Sequence, residues 1–486
     1  MYTYQDFEKE TNRLEGILAV ISHHKNSEIY KTAISADNYD HQQNELILNY
    51  VQTIFSMTGQ PIHDFTASNN KLCSNFFHRL NTQRNTYLLG NGVSFTYHKR
   101  EVKNEDGSIT IIDETKDLLG VYFDTDLKKL GYFSLIHAVV FGYWNADRLI
   151  SFPITEFAPL WDENTGLLRA GVRFWQIDKD KPLNIEFYEE DGVTVYRSME
   201  RGGIEEVTPK TKYIKDYEYT QMGGEVITDE RNYTKLPIIP LWGSNLKQST
   251  LVGMKEKIDS FDLIRSGFAN DLSDCAQIYW ILENCGGMTD EELGRFRDRL
   301  KITHIASADT NNSKVSPYTQ EVPYAARKEY LDEIRSGIYE DFGGLDVHAV
   351  DAASTNDHLE AAYQPLDEEA DDFEYQIIEF INQLLDLLDI EDVPIFKRNR
   401  ISNQPEQTQM ILSAADYLDD ETILSKLPFV TVDEVSKILA RKDEENNDKF
   451  EEEDDEEEDD YEMDFDEEDE EEDDIDAQLE SLLSEF

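Results

Sequence analysis

Acidic residues crowd the end of this chain, and their distribution limits which part of it can fold. The chain has 486 residues with 102 acidic and 45 basic side chains, a formal net charge of −57. Residues 443–486 hold 28 acids and a single base, Lys449. Such a stretch repels itself and has too little apolar surface to form a core. We therefore predict a disordered acidic tail over 446–486, preceded by a folded part that is itself acidic, at −30 over residues 1–442.

The composition permits a sizeable core and argues against several functions. At 39% hydrophobic residues, the chain is long enough for two to four domain-sized units. It lacks the basic excess needed to grip DNA phosphates broadly or to bind an anionic membrane. No apolar run approaches 18 residues, and the first residues lack a basic and an apolar region, so neither a membrane helix nor a signal peptide is expected. Three cysteines suggest free thiols in a reducing compartment.

Motifs for common catalytic and metal sites are missing from the sequence. No Gly-Lys pair occurs, which excludes a phosphate-binding loop, and no His-Glu-x-x-His, Cys-x-x-Cys or Gly-x-Ser-x-Gly motif is found. A hydrolase that uses paired carboxylates stays formally open, but with 102 acids chance pairs are plentiful. We predict a protein that is not an enzyme and has no cofactor and no metal site.

Hydrophobic periodicity divides the folded part into a helical, a β-rich and a second helical region. Apolar positions three or four apart predict helices over much of the first 130 residues, including Leu46 to Phe55. The dense apolar run from Tyr132 to Trp144 also predicts a helix. From Ile150 to Ile239 the pattern is typical of strands, and Asp191-Gly192 between two alternating runs predicts a hairpin.

Two long helices are predicted on either side of a small α/β insert. They run from about Leu251 to Gln277 and from Tyr324 to Phe342, and Gly343-Gly344 ends the second. Within the insert, Thr289 and Glu292 have the spacing of a capping box. A loop should follow the glycines up to Asp357, and a third long helix from about His358 to Asp389 contains Pro365, which predicts a kink or a late start.

One dense basic cluster occurs in the insert. It is formed by Arg295, Arg297, Arg299 and Lys301. Two interpretations are open: a solvated helix face paired with nearby acids, or an interface for an acidic partner surface.

Several stretches, in their order and spacing, resemble the portal proteins of tailed double-stranded DNA bacteriophages, of the siphophage-like type. The first two are NKLCSNFF from Asn70 to Phe77 and YLLGNGV from Tyr87 to Val93, where Gly92 replaces the usual proline. The most diagnostic stretch begins with LPIIPL at Leu236 to Leu241. It continues with IDSFD from Ile258 and ANDLSD from Ala269, and the C-terminal counterpart is LPFV from Leu427 followed by Asp433 and Glu434.

This resemblance implies an α+β, mainly helical phage-portal fold with a β-rich wing, a two-helix stem, a small α/β clip, a helical crown and the disordered acidic tail. The boundaries that it implies are 1–245 for the wing, 246–274 for the first stem helix, 275–323 for the clip, 324–342 for the second stem helix, 343–357 for a tunnel loop, 358–393 for a long wing helix, 394–445 for the crown and 446–486 for the tail. The tunnel-loop residues expected to form the DNA conduit are Gly343, Gly344, Asp346, His348, Ser354 and Asn356, and the two glycines would let the loop change shape.

The resemblance also implies a ring, commonly of twelve subunits, at one capsid vertex, through which the viral genome is packaged and ejected. Its expected partners are the large terminase subunit, a head–tail connector, the major capsid and scaffolding proteins, and duplex DNA passing without sequence specificity. The expected location is the virion, and the host cytoplasm during assembly. An alternative from a different class is an acidic DNA mimic, or a chaperone that binds basic proteins through its tail.

Overall fold

The computed structural model describes most of the chain up to residue 400 and shorter pieces beyond it. The described residues are 2–55, 59–64, 67–103, 109–199, 203–219, 225–275, 279–283, 289, 291–292, 294–295, 314–318, 324–346, 356–400, 404–413, 419, 422–424, 427, 435, 438–439 and 441. Two units can be distinguished. The first comprises Met1–Glu101 and Ile111–Asn403, and the second comprises Val102–Thr110 and Gln404–Phe486.

Helices dominate the start of the first unit, as the periodicity predicts. Side-chain caps begin them: Thr3 caps α1, Asn12 caps α2 and Ser27 caps α3, each accepting a backbone N–H of the first turn. The helices of this part are α1 (Tyr4–Glu8), α2 (Arg13–Asn26), α3 (Glu28–Asp40), α4 (Glu45–Asn49), α5 (Phe76–Leu89), α6 (Glu114–Leu119) and α7 (Phe123–His137).

Short strands separate some of these helices. They are β1 (Thr53–Phe55), β2 (Pro61–His63), β3 (Val93–Phe95), β4 (Lys99–Lys103) and β5 (Ile109–Asp113). Strands β1 and β2 form a separate antiparallel hairpin. The helix predicted over Leu46 to Phe55 is therefore only half right: helix α4 stops at Asn49 and the chain continues as β1. Tyr50 has an extended backbone, which ends the helix there.

Two antiparallel sheets and the two-stranded hairpin of β13 and β14 form the β-rich part of the first unit. The five-stranded sheet has the order β12-β11-β10-β9-β8, and the three-stranded sheet has the order β15-β6-β7. Glu189 pairs with Gly192 across a tight turn, which confirms the predicted hairpin. The strands are β6 (Val139–Trp144), β7 (Leu149–Pro153), β8 (Phe157–Trp161), β9 (Leu168–Trp175), β10 (Asn184–Glu189), β11 (Gly192–Ser198), β12 (Ile204–Thr211), β13 (Ile214–Tyr219), β14 (Glu225–Arg231) and β15 (Ile238–Trp242).

The run from Tyr132 to Trp144 is half helix and half strand, so the predicted single helix is wrong. Helix α7 ends at His137 because Ala138 adopts a left-handed backbone with φ 74°. Residues Val139–Trp144 then form β6, the central strand of the three-stranded sheet. This strand is buried on both faces, so its apolar residues do not alternate and the run cannot be distinguished from a buried helix by periodicity.

Strand β15 lies at the edge of its sheet, and this position explains Pro240. The N–H of Gly243 donates to the carbonyl of Ala138, and the carbonyl of Pro237 accepts from Trp144. In an antiparallel ladder these bonds recur every second residue, so the backbone groups of Ile238, Pro240 and Trp242 point away from β6. A proline at an outward position of an edge strand removes no ladder hydrogen bond.

The second half of the first unit is built on three long helices. They are α8 (Lys255–Cys275), α9 (Tyr324–Phe342) and α10 (Asn356–Leu388), and the accompanying strands are β16 (Tyr279–Glu283), β17 (Lys314–Tyr318) and β18 (Pro394–Phe396). Strands β16 and β17 pair within the insert. Helix α9 has the bounds that the sequence predicts. In the second unit, α11 spans Gln404–Ser413.

Helix α10 begins earlier than expected. It includes Asn356, Asp357 and Pro365, so the late start predicted from the proline is wrong. Its apolar stripe contacts the three-stranded sheet and α7, and it contributes Phe373, Ile377 and Phe380 to the largest apolar cluster of the protein's described residues. Helix α10 is therefore a central element of the first unit's hydrophobic core.

Candidate functional site

Helices α8 and α9 lie side by side and antiparallel. Near one end of the pair, the ring of Phe268 lies 5.7 Å from that of Tyr324, and Arg327 forms an ion pair with Asp271. Near the other end, Lys257 forms an ion pair with Asp341 and donates to the carbonyl of Gly337 at 3.3 Å. The start of each helix therefore meets the end of the other.

The inner end of this pair is anchored in an apolar cluster. Ile258 of α8 and Ile338 of α9 are almost fully buried there. The ring of Phe76, from α5, lies 5.0 Å from Phe261 and 6.1 Å from Tyr339, in edge-to-face geometry. The cluster fixes the helix pair to the rest of the first unit, while much of the α9 surface from Tyr324 to Glu333 is exposed.

An extended segment before α5 is bound along α8 by polar side chains spaced four residues apart. The N–H of Asn70 donates to Oδ1 of Asn270 at 2.6 Å, and the N–H of Leu72 donates to Oγ of Ser266 at 3.0 Å. The N–H of Ser74 donates to Oδ1 of Asp262 at 2.9 Å.

The regular spacing has a geometric cause. Two residues of an extended chain advance by about 6.6 Å, and four residues of a helix advance by about 6 Å. Alternate N–H groups of the segment therefore meet successive turns of α8. Two of the sequence stretches that carry the resemblance thus contact each other directly. We call Asn70 to Ser74, together with its acceptors on α8, the strap.

Asp262 is the most buried acceptor of the strap. Its side chain is inaccessible to solvent, and it also accepts a hydrogen bond from Nδ2 of Asn44. Burial raises the pKa of Asp262, while the hydrogen bonds from Asn44 and Ser74 oppose that change. Asp259, one turn earlier, accepts from the hydroxyl of Tyr39, and burial raises its pKa as well. Two buried acids therefore hold the start of α8 to the N-terminal helices.

The glycine pair after α9 forms a tightly packed helix terminus. Gly343 has φ 67°, its N–H donates to Glu340, and the N–H of Gly344 donates to Tyr339, which is a Schellman motif. A Cβ atom at Gly344 would lie 2.5 Å from Cδ2 of Leu80. The glycines thus permit a left-handed turn and a close approach to α5. The expectation that they allow the loop to change shape has no support in this packing.

Replacing Gly343 with alanine should therefore destabilise the protein. The substitution puts a side chain at a left-handed position, with Cβ 2.7 Å from Cγ of Glu369 and 3.0 Å from the carbonyl oxygen of Pro365. We expect a loss of about 1–3 kcal/mol in the free energy of unfolding, measured by urea denaturation. Gly253, also at positive φ but with open space around it, is the matched control. An equal loss for Gly253→Ala would show that packing at Gly343 is unimportant.

Arg84 on α5 links the end of α9 to the middle of α10. It is 5% exposed, donates to the carbonyl of Phe342 and lies 4.3 Å from the centre of the Phe342 ring. It also pairs with Glu369 of α10 at 3.0 Å. Burial lowers the pKa of Arg84, and the nearby charges of Glu369 and Asp372 oppose the change. Beside it, Gln83 exchanges two hydrogen bonds of 3.0 Å with the backbone of Leu345.

The residues assigned to the tunnel loop do not all lie in a loop. Gly343 and Gly344 are packed as described, and Asp346 pairs with Arg335 at 2.7 Å. Asn356 is the first residue of α10, so its assignment to the loop is corrected. Asp346, through its ion pair with Arg335, and the two glycines hold residues 343–346 against α5 and α9. His348 and Ser354 lie outside the described residues.

The basic cluster of the insert is described only in part. Arg295 is exposed and helical, whereas Arg297, Arg299 and Lys301 lie outside the described residues. At the start of this helix, the carboxylate of Glu292 accepts the backbone N–H of Thr289 at 2.9 Å, which is half of the predicted capping box. Both interpretations of the cluster, a solvated helix face and an interface for an acidic partner, stay open.

A second anchor, at the end of α10, holds the strand that follows. The side chain of Asp392 is fully buried and accepts hydrogen bonds from the N–H groups of Thr96, Tyr97 and Val393 at 2.8–3.0 Å, and from the hydroxyl of Thr115 at 2.6 Å. Burial alone would raise the pKa of Asp392, but these hydrogen bonds outweigh it and hold the pKa well below its ordinary value.

This carboxylate should make stability depend on acid pH. The pKa of Asp392 is lower in the folded state than in the unfolded state. The ionised carboxylate therefore adds to the free energy of unfolding above about pH 4, and this stabilisation is lost as the pH falls through the folded pKa. We expect Asp392→Asn to lower the free energy of unfolding at pH 7 by about 2–3 kcal/mol. The variant should also lose less stability than the wild type between pH 5 and pH 3 in urea titrations. An unchanged slope would contradict this role.

Within the part of the chain that the structure describes, no group of His, Cys, Asp and Glu side chains could hold a metal ion. No helix of the described ranges is long and apolar enough to cross a membrane. The described geometry comprises an antiparallel helix pair, a strap that holds α8, and a buried arginine that holds the end of α9.

Comparisons with known proteins agree with the resemblance. The family model described as "Phage portal protein, SPP1 Gp6-like" matches residues 18–448. The portal protein of Bacillus phage SPP1 is 26% identical over 439 residues, which cover 82% of this chain and 80% of that protein. The portal protein of Clostridium phage phiCD119 is 28% identical over 228 residues, or 44% of this chain, and the match spans half of that relative's length.

A solved structure titled "Neck of native GTA particle computed with C12 symmetry" is similar at a TM-score of 0.40 and 9% identity, covering 73% of this chain and 89% of that one. The assignment rests on the sequence matches, and none of them favours the acidic chaperone or DNA mimic. The chain belongs to the SPP1 Gp6-like family of phage portal proteins.

Proposed function

We propose that this chain forms a ring-shaped channel at one vertex of a phage capsid, through which duplex DNA is packaged and later ejected. The observation that carries the proposal is the portal family match over residues 18–448. The antiparallel pair α8 and α9 supports it, because much of the α9 surface from Tyr324 to Glu333 is exposed and could contact the same helices of neighbouring copies around an axis. The ring would comprise commonly twelve copies and would reside in the virion, after assembly in the host cytoplasm.

Charge supports a conduit that does not retain its cargo. The folded part carries −30 per copy, and a ring multiplies that charge around a common axis. Acidic walls repel phosphates, and screening over about 8 Å confines the effect to a narrow bore. A protein that lacks a basic excess makes few of the phosphate contacts that retain DNA. Duplex DNA of any sequence could therefore slide through.

The proposed parts keep the boundaries implied by the family. Residues 275–323 would be the clip, and Arg295 with its basic neighbours would meet an acidic surface of the large terminase subunit and later of the head–tail connector. Residues 343–357 would approach the DNA, with their start fixed by the glycine pair. The wing and crown would face the capsid and scaffolding proteins. Nucleotide hydrolysis would belong to the terminase, and this chain would have no catalysis of its own.

Electron microscopy and mass measurement of the purified full chain test the proposal. We expect closed rings with a central hole and a mass that is an integral multiple, near twelve, of 56.3 kDa. Monomers that stay monomeric at micromolar concentrations would contradict it.

A further inference from the structure

A cleft of about 800 Å³ runs along the outer edge of strand β15. Its floor is apolar and includes Leu236, Ile238, Pro240 and Trp242. One wall is the turn before β9, where Leu167 is 65% exposed, and the other is α10. Among the described strands, β15 has a partner on one side only, β6.

The backbone of β15 has hydrogen-bonding groups on the side away from β6; Pro240 and Trp242 are partly exposed there, and Ile238 is buried in the single chain. The N–H and C=O groups of Ile238 and Trp242, and the C=O of Pro240, point away from β6. Ile238 and Trp242 are separated by about 13 Å, which is the length of a short strand. Open edges of this kind accept an additional extended segment, with main-chain hydrogen bonds providing affinity and side-chain pockets providing specificity.

The charges at the rim of the cleft neutralise each other. Arg169 pairs with Glu190 at 2.7 Å, and Lys235 pairs with Asp386. The cleft therefore presents an apolar and nearly neutral surface on a strongly acidic protein, and it does not attract a charged ligand.

A second neutral surface lies on the hairpin β1–β2. Residues 46–63 contain no Asp, Glu, Lys or Arg, although such residues make up 30% of the chain. Phe55 is 73% exposed, and Leu46, Val51 and Ile62 are each close to half exposed. An isolated two-stranded hairpin is marginally stable in water, and exposed apolar side chains grouped in this way indicate a protein interface.

We propose that the β1–β2 hairpin of one copy docks into the β15 cleft of the next copy and extends its three-stranded sheet. This inference rests on the proposed ring. A cyclic ring requires two different, complementary surfaces on every subunit, and the chain carries one of each. Since the copies repel one another through their net charge, their contacts must form where charge is absent or paired. A strand of three residues, about 10 Å long, fits between the outward groups of Ile238 and Trp242.

Cross-linking tests the contact directly. We would introduce Phe55→Cys and Leu167→Cys together into the full chain and oxidise the assembled protein. The expected result is a ladder of covalent oligomers that ends at the ring size. Leu118→Cys with Leu167→Cys is the matched control, because Leu118 is 68% exposed and lies outside the cleft. Leu167→Cys alone controls for reaction with the native Cys73, a free thiol.

Hydrogen exchange and an assembly variant complete the test. The amides of Ile238 and Trp242 should exchange at least ~10-fold more slowly in rings than in dissociated subunits. Phe55→Asp should raise the concentration for half assembly at least ~10-fold, or about 1.4 kcal/mol, while Ile177→Asp, at an 82% exposed position, should not. Rings without the ladder and without protection would overturn the inference and leave the proposed function intact. Absence of rings in the unmodified protein would overturn both.

Discussion

Replacing Asp262 with alanine should lower the free energy of unfolding by about 3–5 kcal/mol. The reason is that Asp262 is fully buried and accepts from the N–H of Ser74 and from Nδ2 of Asn44. Without the carboxylate, the buried N–H of Ser74 loses its acceptor, Asn44 keeps only its 3.3 Å hydrogen bond to the carbonyl of Ser74, and a cavity opens between α8 and the strap. Equilibrium denaturation in urea measures the loss, and amide exchange at Leu72 and Ser74 should show that the strap detaches.

Asp271→Ala is the matched control for this variant. Asp271 lies on the same helix and pairs with Arg327, but its side chain is 38% exposed. A pair at the surface contributes about 0–1 kcal/mol. If the two variants lost equal stability, the strap would not be a principal anchor of α8.

The second large effect is expected at Arg84. Arg84→Ala should lower the free energy of unfolding by about 2–4 kcal/mol, because it removes the donor to the carbonyl of Phe342, the contact with the Phe342 ring and the buried aliphatic stem of the arginine. The loss should be concentrated at the end of α9. Exchange of the amides of Gly344 and Leu345 should therefore increase more than exchange in the middle of α5.

Arg79→Ala serves as the control for Arg84, since Arg79 is an exposed arginine of the same helix. The free energy of unfolding of Arg79→Ala should differ from that of the wild type by no more than about 0.5 kcal/mol. Faster exchange throughout α5 in Arg84→Ala, with no preference for residues 343–346, would mean that Arg84 supports α5 alone. In that case it would not position the segment that follows α9.

Local patterns in the sequence were sufficient to place the long helices and the hairpin at Asp191-Gly192. The bounds of α9 follow from its periodicity and from Gly343-Gly344, and the turn before Gly192 follows from Asp191-Gly192. The failures occurred where tertiary contacts decide between structures with the same composition. Val139–Trp144 is a strand because it lies between α10 and two neighbouring strands, and an apolar run gives no sign of that.

The contacts of the site were harder to predict from the sequence than the fold was. Asp262, Ser266 and Asn270 follow Ile258 at intervals of four, so the sequence does contain a polar stripe on α8. What it does not contain is the partner, because the strap comes from about 190 residues earlier in the chain. Arg84 interrupts the stripe of Leu80 and Leu88, and a charge at such a position is a usable signal for a buried cation that was overlooked. The sequence predicts that Gly343 and Gly344 let a loop change shape, and it gives no sign of the close packing that they permit in the structure.

The proposed channel requires the helix pair α8 and α9 to line the central hole of the assembled protein. A cryo-electron microscopy reconstruction of the purified full chain would locate it directly. We predict a closed ring in which one antiparallel pair from every copy stands beside the central hole. A ring in which these helices face the outside, or a protein that forms no ring at all, would contradict the account.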